Sequence, residues 1–124
     1  MGKRVMVVDD EATVGDMLGL MLEALGHEAR VFSSPLASLA WLATEAPDIA
    51  FLDLRMSEMD GVTLLERIRA GGHQFPVVAI TGFAADEMVV AVREGGALAV
   101  AAKPVSMDTL DGLVHLGCPS HPVC

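Results

Sequence analysis

Hydrophobic residues along this chain alternate between two rhythms. Arg4 to Val8, Ile49 to Leu52, Pro76 to Ile80 and Leu98 to Ala102 are compact apolar runs, of the length expected for strands buried on both faces. Glu28 to Phe32 is apolar at alternate positions and reads as a further strand, second in chain order. Between these runs the period lengthens to that of a helix. Val14, Met17, Leu18, Met21, Leu22 and Leu25 form one stripe, predicting an amphipathic helix that Gly26 ends. Gly15 and Gly19 weaken that helix by roughly 1 kcal/mol each relative to Ala, so packing must hold it. Ser34 as N-cap and Pro35 in the first turn open a second helix running to about Glu45, burying Leu36, Leu39 and Ala43. A third, Gly61 to Ala70, turns Val62, Leu65 and Ile68 inward and closes at Gly71-Gly72. A fourth carries Asp86 or Glu87 in its first turn and finishes at Gly95-Gly96; its run from Met88 to Val92 is apolar nearly all round, which predicts burial on more than one side. Ser106 caps a fifth, with Leu110, Leu113 and Val114 on one side, fading at Gly117.

Strand and helix therefore alternate five times with short connections. That order predicts an α/β fold, a parallel five-stranded sheet with helices on both faces, doubly wound. One domain, residues 1–117, is expected to fill the chain, with a short tail at 118–124 and no output domain after it.

Composition narrows the function classes. The chain has 124 residues, 52% of them hydrophobic, and a net charge of −9. It is long enough for one real core and too apolar for disorder. The acidic balance argues against nucleic acid as a partner, because phosphate contacts need clustered Lys and Arg. No apolar stretch reaches the roughly 18 residues of a membrane span. Met1-Gly2-Lys3-Arg4 leads directly into the first strand without a signal-peptide core. No membrane association and a cytoplasmic location are the expectation. Cys118 and Cys124 both lie in the last seven residues, so no disulfide framework supports the fold.

In open α/β sheets, ligands bind beyond the carboxyl ends of the strands. The predicted strand ends carry Asp9 and Asp10, then Asp53, then Thr81, then Lys103. Three carboxylates on one edge repel one another unless a cation sits among them. Oxygen ligands in this number favour Mg²⁺. A cation, a lysine and a hydroxyl around Asp53 make a site for phosphoryl transfer, with Asp53 as nucleophile. Taken singly, each residue has a plainer role: Asp9 or Asp10 as a helix cap, Glu11 as a cap only, Thr81 as a turn residue, Lys103 as a surface charge and Asp60 as turn chemistry.

Four separated motifs, V-M-V-V-D-D-E (5–11), F-L-D-L-R-M-S-E-M-D-G (51–61), V-V-A-I-T-G (77–82) and K-P (103–104), resemble the receiver domains of bacterial two-component response regulators. The resemblance covers residue 3 to about 115. It implies the flavodoxin-like strand order 2-1-3-4-5 and Asp53 as phospho-acceptor. Asp10 would bind Mg²⁺ directly and Asp9 partly through water, with Asp53 and the backbone carbonyl of Arg55 as further ligands. Thr81 and the Gly82 amide would meet the phosphoryl oxygens, Lys103 would pair with them, and Lys103-Pro104 would be cis. The implied partners are a histidine kinase or phosphotransfer protein and a downstream protein that the sequence does not name. The implied chemistry is limited to the domain's own phosphorylation and dephosphorylation. With no output domain expected, the chain reads as a stand-alone receiver acting through protein–protein contacts.

The sequence also departs from that family. Val100 stands where Tyr or Phe is usual, three before Lys103, which puts the usual coupling of the Thr to an aromatic ring in question. Ser57 replaces a Pro, which loosens the loop after Asp53. Arg55 and Phe83 occupy the positions two beyond Asp53 and Thr81 that control water access, and their bulk predicts slow loss of the phosphoryl group. The face of helix four, strand five and helix five is apolar enough to predict a partner or a homodimer there. A non-phosphorylated interaction module on the same fold is the alternative. A phosphatase with an aspartyl intermediate would need a second Asp where Arg55 stands. His115, Cys118, His121 and Cys124 are spaced three apart, but they lack the separated second ligand pair of a zinc loop, so a plain tail is expected.

Overall fold

The computed structural model describes residues 2–82 and 87–117. Five strands, β1 (Arg4–Val8), β2 (Glu28–Phe32), β3 (Ile49–Asp53), β4 (Val77–Thr81) and β5 (Ala99–Ala102), alternate with five helices. These are α1 (Ala12–Ala24), α2 (Pro35–Leu42), α3 (Gly61–Ala70), α4 (Met88–Glu94) and α5 (Met107–Leu116). All neighbouring strands pair parallel, in the order β2-β1-β3-β4-β5. Every residue of β3 and β4 is buried, as continuous apolar runs in the middle of a covered sheet require.

Strand alternation sorts the core into two layers. Met6, Val8, Ala50, Leu52, Val77 and Ala79 face one way and pack with Leu42, Leu64, Leu65, Ile68 and Val92 of α2, α3 and α4. Val5, Val7, Ile49, Phe51, Val78 and Ile80 face the other way and pack with Leu18, Leu22, Leu110 and Val114 of α1 and α5. Helices thus cover both faces of the sheet.

Four helices differ from their sequence pattern. In α1 the buried residues are Gly15, Leu18, Gly19 and Leu22, while Met17 is exposed. A Cβ on Gly15 or Gly19 would come 3.0 or 2.8 Å from the Val31 methyls. These glycines let α1 lie close on β2, so the residues that weaken the helix locally are the ones that seat it. In α2 the buried residues are Pro35, Ser38 and Leu42, and the helix stops at Leu42. Leu36 and Ala43 are exposed and Leu39 half-buried. The buried Ser38 hydroxyl donates to the Pro35 carbonyl (2.6 Å), which lets a polar residue occupy the inner face. Beyond Leu42 the backbone tightens, with Ala43 and Thr44 donating to Ala40 and Trp41, and Glu45 leaves the helix to pair with Arg4 (2.9 Å). In α4 only Val92 is buried, Met88 and Val89 are half-buried, and Val90 is 63% exposed. The helix is covered on one side, not several, because α3 and β5 are its chief neighbours. In α3, Leu64 joins Leu65 and Ile68 in the core, and Val62 is only half-buried.

Candidate functional site

The ends of β1, β3, β4 and β5 contribute the parts. The β1 ladder continues as Asp9 N–H donates to the Phe32 carbonyl (3.0 Å), which fixes the backbone that carries Asp9 and Asp10. Leu54 N–H donates to Ile80 O (3.0 Å) and Lys103 N–H to Thr81 O (2.8 Å), which extends β3 and β5 in the same way. Gly61 N–H donates to Leu54 O (3.0 Å), and a Cβ at Gly61 would stand 2.6 Å from the Asp53 carbonyl oxygen. Only glycine allows α3 to start this close behind Asp53. Asp60 caps that helix, accepting from Thr63 N–H (2.8 Å), as its turn chemistry predicts.

The side chains meet over this edge. Asp9, Asp10 and Asp53 each place a carboxylate oxygen within 4.8 Å of the others. Lys103 Nζ lies 2.9 Å from Asp9 Oδ2 and 3.3 Å from Asp53 Oδ2, with Glu11 Oε1 at 3.8 Å. Arg55 N–H donates to Asp53 Oδ1 (3.4 Å) and Glu11 N–H to Asp9 Oδ1 (2.9 Å). A cavity of about 190 Å³ opens over Asp53, lined by Glu11, Arg55, Thr81, Gly82 and Lys103. Lys103-Pro104 is cis.

Burial, followed by the neighbouring Asp9 charge, pushes the Asp53 carboxyl up to about 6, against the pull of Lys103 and the Arg55 amide. Burial also pulls the Lys103 ammonium down, but its bonds and attraction to Asp9 and Asp53 outweigh that and hold it above the ordinary lysine value. Both shifts have one origin. A single ammonium serves two buried carboxylates, so the lysine is over-supplied with negative charge and Asp53 is under-compensated.

Three carboxylates against one ammonium leave about two uncompensated charges, the deficit that a divalent cation fills. Asp9 Oδ2 is buried, with the Lys103 ammonium 2.9 Å away, and Lys103 is shared with Asp53. An all-oxygen cluster with more negative charge than one ammonium answers fits a hard metal ion.

Two features of the site lie outside what the strand-end pattern indicated. Glu11 does not cap α1 with its side chain; its carboxylate faces Lys103. Ser57 does not loosen the loop after Asp53. Its N–H donates to Asp10 Oδ2 (3.0 Å), with its hydroxyl 3.4 Å from the same oxygen. A residue with an N–H where a proline is usual was visible in sequence; its partner, 47 positions away, was not. Phe83, Asp86, Cys118, His121 and Cys124 lie outside the described residues. Within them, His115 bonds Asp111 through Nδ1, and among the described residues the three aspartates are the one metal-capable cluster.

The chain matches the response regulator receiver domain family over residues 5–115. The chain belongs to this family. Regulatory protein AtoC of Escherichia coli is 32% identical over 112 residues, which cover 90% of this chain and 24% of AtoC. Sporulation initiation phosphotransferase F of Bacillus subtilis is 26% identical over 119 residues, 96% of either chain. The structure of FixJ-N superposes with a TM-score of 0.87 at 28% identity, covering 94% of both chains. This chain thus spans about a quarter of the length of the curated relatives such as AtoC and nearly all of phosphotransferase F. Receiver domains are phosphorylation-dependent signalling switches, and that is the function class of this chain. They are signalling modules and not enzymes acting on outside substrates in general. Among the described residues, no helix is long and apolar enough to cross a membrane.

Proposed function

We propose that Asp53 accepts a phosphoryl group from a phosphohistidine of a kinase or phosphotransfer protein, in a Mg²⁺-dependent reaction that this chain's own residues promote. The observation that supports it most is the buried Asp53 carboxylate under a 190 Å³ cavity, 3.3 Å from Lys103, with two more aspartates within 4.8 Å. Asp9, Asp10, Asp53 and the Arg55 carbonyl would hold Mg²⁺, which would supply positive charge to the phosphoryl oxygens. A carboxylate oxygen of Asp53 attacks phosphorus in line; a P–O bond forms, the P–N bond breaks, and the imidazole departs with a proton from solvent. Lys103 follows the new charge from the carboxylate to the phosphoryl oxygens. The Thr81 hydroxyl and the Gly82 amide donate to the others. Hydrolysis later reverses the modification, with Arg55 at the cavity rim limiting water.

The location is cytoplasmic, where such kinases present their phosphohistidine. Output runs through protein contacts, with the α4–β5–α5 side as the surface for a downstream protein or a second copy. Incubation with Mg²⁺ and acetyl phosphate, followed by intact mass, tests the chemistry. One adduct of about 80 Da, absent in Asp53→Asn, is expected. No adduct, or an adduct that survives Asp53→Asn, overturns the assignment.

A further inference from the structure

Ser57 is exposed and lies outside the cavity over Asp53, yet it ties the loop after β3 to the end of β1. Its N–H donates to Asp10 Oδ2 at 3.0 Å, a good length for a bond to a carboxylate; the hydroxyl at 3.4 Å adds little. Asp10 is half-buried, unlike Asp9 and Asp53, so its side chain has room to turn away from the cluster. The Ser57 amide limits that freedom. A carboxylate has about four acceptor positions, and one bond on Oδ2 leaves the others for an ion.

The same tie acts on the loop. Ser57 is two residues beyond Arg55, whose own N–H donates to Asp53 Oδ1 (3.4 Å), so the bond to Asp10 anchors the loop that carries the Arg55 carbonyl. The neighbouring Glu58 holds the loop from the other side. Its Oε1 accepts the Ser34 hydroxyl (2.7 Å) and the Leu36 N–H (3.1 Å) at the start of α2. Proline, with no N–H, could not make the Asp10 bond.

We propose that Ser57 is a positioning residue for the cation site, its backbone N–H setting the Asp10 carboxylate and the Arg55 carbonyl in register before the metal arrives. The inference rests on the reading of Asp9, Asp10 and Asp53 as Mg²⁺ ligands. Hydrogen bonds to ligating carboxylates tune metal affinity by about 10–100-fold. Ser57→Pro, which removes the N–H, is therefore expected to weaken Mg²⁺ binding about tenfold. Ser57→Ala, which keeps it, should stay within about threefold.

The measurements are calorimetric Mg²⁺ titrations of the whole chain and thermal midpoints with and without Mg²⁺. The metal-free midpoint of Ser57→Pro should stay near the wild type while its Mg²⁺-induced rise shrinks, since that rise follows affinity. A wild type that binds no Mg²⁺ at millimolar concentration overturns the metal reading and this inference with it. A wild type that binds, beside a Ser57→Pro that binds equally well, overturns this inference alone. So does a lower metal-free midpoint with an unchanged Mg²⁺ increment, the mark of a structural role. A tenfold loss in Ser57→Ala would move the effect to the hydroxyl and overturn the assignment to the N–H. Should Ser57→Pro not fold, the Ser57 amide of the wild type decides: slow hydrogen exchange is expected before and after Mg²⁺, and fast exchange in the metal-free protein overturns the proposal.

Discussion

At the scale of single residues, the site stores unfavourable charge. Asp53 titrates at about 6 instead of 3.8 because it is buried beside Asp9. A raised carboxylate favours the folded state fully below 3.8, and that contribution is lost as the pH rises through 6. At neutral pH the ionised side chain therefore costs stability, on the order of 1–3 kcal/mol. Asp53→Asn is expected to stabilise the metal-free protein by this order at pH 7, and the gain should vanish as the pH falls through 6 towards 3.8. Urea denaturation across that range measures it. Mg²⁺ should shrink the difference, because it favours the ionised form. Arg55 is exposed at the cavity rim, where, on the function proposed above, its length would screen the phosphoryl group from water. Phosphorylated Arg55→Asn should lose its adduct several-fold faster than the wild type, by mass against time; equal decay removes the shielding role.

At the scale of elements, two glycines inside helices have opposite meanings. Gly19 faces β2, where an added Cβ would stand 2.8 Å from a Val31 methyl, and the branched Val31 has little freedom to yield. Gly112 lies in α5 with nothing within 4 Å of an added Cβ. Gly112→Ala should stabilise by about 0.5–1 kcal/mol through propensity alone. Gly19→Ala should destabilise by about 1–2 kcal/mol despite the same local gain, because overpacking wins. Denaturant midpoints of the two variants check both signs. The α2 helix carries a related lesson. Its apolar residues suggested an inner face of Leu36, Leu39 and Ala43, but the Ser34 cap and the Ser38 hydroxyl bond to Pro35 turned a different face inward. Where nearly every position of a short helix is apolar, periodicity has no polar face to read against.

At the scale of the whole molecule, two surfaces bear on function and stability. Val90 on α4 and Leu98 before β5 are exposed, at 63% and 41%, on the side proposed above for output. If that side pairs two copies, light scattering should show the mass double with Mg²⁺ and acetyl phosphate, and Val90→Lys should prevent it. A monomer under both conditions overturns the homodimer. Far from the site, His27 Nδ1 accepts the Lys3 N–H (3.0 Å), a bond that only a neutral imidazole can accept in this way. Burial lowers its affinity for protons, with His115, Lys3 and the N-terminus lowering it further and Asp111 opposing them. A depressed histidine contributes stability that is full above its ordinary 6.5 and is lost as the pH falls towards the folded value. Since Asp53 acts in the opposite sense, the loss should be clearest in the Asp53→Asn background, as a falling thermal midpoint between about pH 8 and pH 5.

The sequence by itself determined the elements, their parallel order and the set of strand-end residues. Each of these is carried by neighbours in the chain: an apolar run, a helical stripe, a capping serine, or an acid or lysine where a buried strand stops. Only the tertiary structure decided how those residues use one another. That Asp10 is tied by the Ser57 amide, that Glu11 turns to Lys103, and that Gly19 seats α1 on Val31 are contacts between segments. Such contacts depend on how strands stagger and helices rotate, and a pattern that repeats along one segment holds no information about its rotation against another. Asp53 shows the division most clearly. Its place at a strand end was legible; its raised pKa exists only because folding brings Asp9 and Lys103 to it while shutting water out.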